Sequence, residues 1–159
     1  MNFSSRATPL DSVHVIGVDP GKTTGLARLY GGALTAVAVP SSDVDTVVSA
    51  WLADIVPAVV GCERFIVTQR TARLSRQPEA IETTGVVRSL VERSDRAVMV
   101  DQNMSDAKRF IGKDLRVALG WQQSGRLAVH MNDAVCQVGK ALYARYPAAF
   151  RELVDPYID

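Results

Sequence analysis

The spacing of apolar residues changes period several times along the chain, and each change marks an element. Residues 13–19, VHVIGVD, are apolar on both faces apart from His14, the pattern of a strand covered on both sides. Asp-Pro-Gly follows at 19–21, with Pro20 and Gly21 suited to the central positions of a type II turn. Residues 24–30 and 33–39 read as two short strands joined through Gly31-Gly32, a hairpin signal. From 43 to 56 the period becomes helical, with Val44, Val47, Val48, Trp51, Leu52 and Ile55 on one face. AVVGCE at 58–63 predicts a buried strand. Pro78 suits a first helical position, and the helix it opens extends to about Arg93. Gly85 lies inside it, where glycine costs about 1 kcal/mol relative to alanine, so close packing is expected there. A fifth strand is predicted at 97–101, helix in pieces over 104–119, and a last amphipathic helix over 131–146.

The element order is βββαβαβα. The first three strands form an antiparallel meander on one side of strand one. Strand four returns through a helix and runs parallel to strand one, and right-handed crossovers place it on the free side. The expected fold is α/β, a five-stranded mixed sheet in the order 3-2-1-4-5 flanked by helices, the ribonuclease H-like arrangement. Residues 1–11 are expected to be a disordered leader and 12–159 one domain, a length that buries a core without disulfide or metal staples.

That topology brings acids together. Asp19 closes strand one and Glu63 closes strand four, and parallel neighbours lie about 4.8 Å apart. Both carboxylates therefore project from one end of the sheet, where open α/β sheets bind ligands. His130 and Asp133, three apart at the start of the last helix, share a helix face. If that helix starts at the same end, three carboxylates and an imidazole converge, and they would repel unless cations sat between them. An oxygen-rich set of this kind suits Mg²⁺ or Mn²⁺, and two such ions about 4 Å apart can drive phosphodiester hydrolysis. Each residue also has a plainer role open to it. Asp19 can form a turn, Glu63 can pair with an arginine, Asn132 or Asp133 can cap the helix, and His130 can be structural. His14, without an acidic neighbour in the pattern, reads as structural.

Composition adds less than charge placement does. The net charge of +1 hides two basic segments: Arg64 to Gln77 has four Arg and no acid, and Lys108, Arg109, Lys113, Arg116 and Arg126 face Asp114 alone. Either could be a solvated surface. Next to the acids, they could instead hold phosphates. No apolar run approaches the roughly 18 residues of a membrane span, and the first residues lack a signal-peptide core. Cys62 and Cys136, far apart and in apolar surroundings, read as buried reduced thiols, so the cytoplasm is the expected compartment. DPGKTT at 19–24 is similar to the phosphate loop of actin-like and Hsp70-like ATPases, but those close two domains over the nucleotide. Pro20 has no N–H to offer a phosphate, and Asp19 would repel one. A non-catalytic DNA-binding or structural protein is a third reading.

VIGVDPG with TG, ERF on strand four and HMNDAV at the last helix together resemble the RuvC family of Holliday junction resolvases over roughly residues 13 to 146. The resemblance implies a catalytic and metal-binding set of Asp19, Glu63, His130 and Asp133, with histidine where many members carry an acid. It implies a Mg²⁺-dependent endonuclease with two ions per site, accepting Mn²⁺, that resolves four-way junctions by paired nicking in recombination and repair. Water attack would leave a 5′-phosphate and a 3′-hydroxyl. A homodimer is implied, and the divergence elsewhere suggests a phage or mobile-element member. Lys108 and Lys113 resemble the family's lysines between the fifth strand and the last helix. Phe65 falls one residue early for the aromatic that acts at the junction centre. Arg70, Arg73 and Arg76 are candidate DNA contacts.

Overall fold

A computed structural model describes residues 8–64 and 78–158. Five strands, β1 (His14–Asp19), β2 (Thr23–Tyr30), β3 (Ala33–Pro40), β4 (Ala58–Glu63) and β5 (Ala97–Gln102), form one sheet in the order β3-β2-β1-β4-β5. β1 pairs antiparallel with β2 and parallel with β4, and β4 pairs parallel with β5. The helices are α1 (Val44–Leu52), α2 (Pro78–Arg93), α3 (Met104–Phe110), α4 (Lys113–Ala118), α5 (Ala128–Arg145) and α6 (Pro147–Val154). The α/β class, the sheet order and the parallel return through α1 are as expected. α6 carries no counterpart in the periodicity reading. Leu10–Ser12, at the end of the expected leader, form a 3-10 turn, and Leu10 packs against the core.

β1 is covered on both sides because its residues alternate between two cores. Val13 and Val15 join Ala27, Leu29, Val59 and the inner face of α5. Ile16 and Val18 join Leu26, Val60, Cys62 and the apolar faces of α1 and α2. Both cysteines are free and buried. The β2–β3 hairpin turns at Gly31 and Gly32, both at positive φ (58° and 76°), the conformation a type I′ turn demands.

Three local expectations are corrected. Gly21 has no positive φ, so Pro20-Gly21 is not a type II turn; instead Thr24 Oγ1 donates to the Gly21 carbonyl (2.9 Å) and accepts from its N–H (3.3 Å). A Cβ at Gly85 would meet open space among the described residues, so no close packing with them explains that glycine. α5 begins at Ala128 rather than 131, which places His130 and Asp133 inside its first two turns. No described helix is long and apolar enough to cross a membrane.

Candidate active site

α5 lies across the sheet close enough that glycines line the seat. A Cβ on Gly17 would strike the Ala134 carbonyl, and one on Gly25 would strike the carbonyl of His130 itself. Without those side chains the first turns of α5 settle onto β1 and β2. This is what carries His130 and Asp133 to the strand ends, beside Asp19 and Glu63. The β1–β4 register, Val18 opposite Cys62, sets those two acids side by side.

The four residues line one cleft of about 590 Å³ together with Pro20, Gly21, Lys22, Thr23, Glu79 and Val129. His130 Nδ1 lies 3.3 Å from Asp19 Oδ2, and Lys108 Nζ lies 2.9 Å from Asp133 Oδ2. Burial pushes the Asp19 carboxyl up to about 7, and Asp133 and Glu63 push the same way; the hydrogen bond and charge of His130 only partly oppose them. Burial likewise raises Glu63, with Lys108 pulling it down and Asp133 pushing it up. The hydrogen bond to Asp133 raises the Lys108 ammonium. The cleft is therefore an electrostatically strained pocket whose carboxylates are short of positive charge.

Among the described residues, no three His, Cys, Asp or Glu side chains stand in a ready-made coordination arrangement. Lys108 and His130 hold the acids at Asp133 and Asp19 instead. The donor set still fits a hard divalent cation, since its deficit of positive charge is what such an ion would relieve and its donors are three carboxylates and an imidazole.

The plainer roles separate cleanly. Asn132, not an N-cap, is 8% exposed and turned away from the cleft: its Oδ1 accepts from the Gln123 N–H (2.9 Å) and its Nδ2 donates to the Gln123 carbonyl (3.2 Å). Asp133 makes an ion pair rather than a cap. His14 is fully buried, with Nδ1 donating to the Val56 carbonyl (3.1 Å) and Nε2 accepting from Arg28 Nε (3.1 Å), at the opposite end of β1 from Asp19. Arg28 in turn pairs with Asp54.

The basic segments divide. Lys108 reaches the acids. Lys113 opens α4, exposed and outside the residues lining the cleft. Arg116 points inward instead, donating to the Ile111 carbonyl (2.8 Å) and Gln122 Oε1 (2.9 Å) and lying 3.2 Å from Cys136 Sγ, so it braces the segment before α5 rather than offering a surface charge. Phe65, Arg70, Arg73 and Arg76 lie outside the described residues. Sequence reasoning missed Lys22 and Glu79 as cleft residues. Lys22 was legible only as part of a loop, and Glu79, in the first turn of α2, looked like an ordinary helix-start acid.

No family model matches the chain, and no curated protein does. Solved structures do. RuvC from T. thermophilus in complex with a Holliday junction substrate superposes with a TM-score of 0.60 at 17% identity, covering 85% of this chain and 94% of that one. A further Thermus thermophilus RuvC structure superposes with a TM-score of 0.58 at 19% identity, covering 85% and 95%. The chain shares the fold of these resolvases along nearly their whole length.

Proposed function

We propose that the protein is a metal-dependent, structure-specific DNA endonuclease that resolves four-way junctions by paired nicking. The observation that carries this reading is the meeting of Asp19, Glu63, His130 and Asp133 in one cleft, at the strand ends of a fold shared with RuvC. Asp19, Glu63, His130 and Asp133 would hold Mg²⁺, two ions per site with Mn²⁺ able to substitute, which would supply activation of the attacking water and stabilisation of the leaving oxygen. The chain's own groups prepare for this. Lys108 and His130 keep neighbouring acids from facing each other bare. Release of Lys108 from Asp133 would free an ammonium for a phosphate at the same place. The ends of β1 and β4 and the first turns of α5 hold the backbones of the four donors on regular elements, so the rearrangement needed is one of side chains, Lys108 leaving Asp133 among them. Hydrolysis would leave a 5′-phosphate and a 3′-hydroxyl.

Two nicks across a junction of near two-fold symmetry need two sites, which a homodimer supplies. α2 offers the apolar surface for it: Ile81 is 51% exposed and Val86 38%. Arg70, Arg73 and Arg76 with Lys108 and Lys113 are the proposed phosphate contacts. The deciding experiment incubates the protein with an end-labelled four-way junction and Mg²⁺ or Mn²⁺, with linear duplex as control. Symmetrically placed nicks on the junction and an intact duplex are expected. A junction that is bound but stays uncut with both metals would point to a non-catalytic binding protein and end the endonuclease reading.

A further inference from the structure

Lys22 is the only lysine or arginine among the described residues lining the cleft, a lining it shares with Asp19, Glu63, Glu79 and Asp133. Its side chain is exposed, and no described acid pairs with it, whereas Lys108 is held on Asp133 and Lys140 on Asp106. The backbone beneath it is fixed from three directions. The Thr24 hydroxyl bridges the N–H and carbonyl of Gly21, the Ser41 N–H donates to the Lys22 carbonyl (3.0 Å), and the β2–β3 ladder begins immediately after it with Thr23 opposite Pro40. A cation is thus presented on a braced turn at the mouth of an acid-lined cleft, with its charge uncommitted.

A DNA strand entering that cleft meets carboxylates that repel every phosphate except one bridged by cations. The neighbouring phosphates of the same strand need their own positive partner at the rim. An ammonium on a flexible four-carbon stem suits this, because it reaches a phosphate as a point charge without demanding bidentate geometry. We propose that Lys22 is a strand-positioning residue that binds the phosphate next to the scissile one and so sets which bond lies over Asp19. This deepens the endonuclease reading and rests on it.

The test measures equilibrium binding of a labelled four-way junction against salt, with Ca²⁺ replacing Mg²⁺, for the parent, Lys22→Met and Lys22→Arg. Single-turnover cleavage in Mg²⁺ is measured alongside. Lys22→Met should bind several-fold more weakly, and its slope of log K against log salt should be shallower by about 0.7–0.9, one phosphate contact. Its cleavage should stay below the parental rate even at saturating protein, with nicks spread onto neighbouring bonds, whereas full recovery at the parental bond would reduce Lys22 to an affinity contact and overturn the positioning role. Lys22→Arg should keep the parental slope. A Met variant with parental slope and affinity overturns the assignment, as does equal impairment of Met and Arg, which would mark a steric role. If the parent cuts the junction, any of these results removes Lys22 alone. A parent that neither binds nor cuts it removes the endonuclease reading, and the role of Lys22 with it.

Discussion

At the scale of single residues, two histidines in one chain are put to opposite uses, and substitution separates them. His130 has a half-open side chain whose contact in the cleft is Asp19, so truncation removes little packing. His130→Ala should shift stability by no more than about 0.5 kcal/mol yet cut junction cleavage sharply. His130→Asp restores an oxygen donor three residues before Asp133 and should recover much of the Mg²⁺-dependent rate. Melting curves and single-turnover cleavage of the two variants check this; a melting point that drops while cleavage holds would make His130 structural. Asp19→Asn keeps the shape and removes a charge that burial and Asp133 disfavour. Metal-free protein should therefore melt at an equal or higher temperature while cleavage falls by orders of magnitude and junction binding persists. Nicking retained by purified Asp19→Asn would refute the metal-site reading. His14 behaves differently because burial, together with the Arg28 charge, lowers its pKa below the usual 6.5, against the pull of the Val56 carbonyl. Above about pH 6.5 it is neutral in folded and unfolded chains alike, and its two hydrogen bonds contribute fully. As pH falls below that value the unfolded chain takes up a proton that the folded chain refuses, so stability drops until the lower folded pKa is reached. Urea denaturation at about pH 7.5 and about pH 5.5 should show a smaller loss in His14→Gln than in the parent. Equal losses would show that His14 has no part in the acid sensitivity.

At the scale of elements, the decisive contact is α5 against the β1–β2 pair. A methyl group on Gly25 would occupy the place of the His130 carbonyl, which is helix backbone and cannot rotate away. Gly25→Ala should cost about 1–3 kcal/mol through overpacking. It should also lower cleavage by more than the stability loss explains, since displacing donors by an ångström can cost about 100-fold in rate. Thermal melts paired with cleavage well below the melting point test this, and unaltered cleavage in a folded Gly25→Ala protein would mean the helix seat does not set the site. α2 carries the opposite kind of glycine. No described residue needs the space beside Gly85, so its cost of about 1 kcal/mol to the helix is uncompensated among the described residues of one copy.

At the scale of the whole molecule, that uncompensated glycine and the apolar residues around it are what the proposed dimer would use. If α2 packs closely on its two-fold mate, Gly85→Ala should weaken self-association while Ile81→Asp abolishes it. Sedimentation should then show monomers, and the junction should be nicked once rather than in pairs. If α2 faces water in the working protein, Gly85→Ala should simply raise the melting temperature by a few degrees, and sedimentation of the parent at micromolar concentration should show a monomer.

The amino-acid pattern alone was enough for the strands, the sheet order and the placing of Asp19 and Glu63 at one end. Period changes mark the elements locally, parallel return through a helix has one favoured hand, and a residue that closes a strand must project from the sheet end. It also singled out His130 and Asp133 as a pair, because their spacing on a helix is a local property. The tertiary structure decided what lies between distant segments. It started α5 a turn earlier and pressed it into Gly17 and Gly25. It turned Asn132 away onto Gln123, sent Lys108 to Asp133 and Arg116 inward, and brought Lys22 and Glu79 to the cleft. A periodicity reports which face of an element is buried, but which charge meets which across a cleft depends on how closely two elements pack, and that distance is set by side chains far apart in the chain.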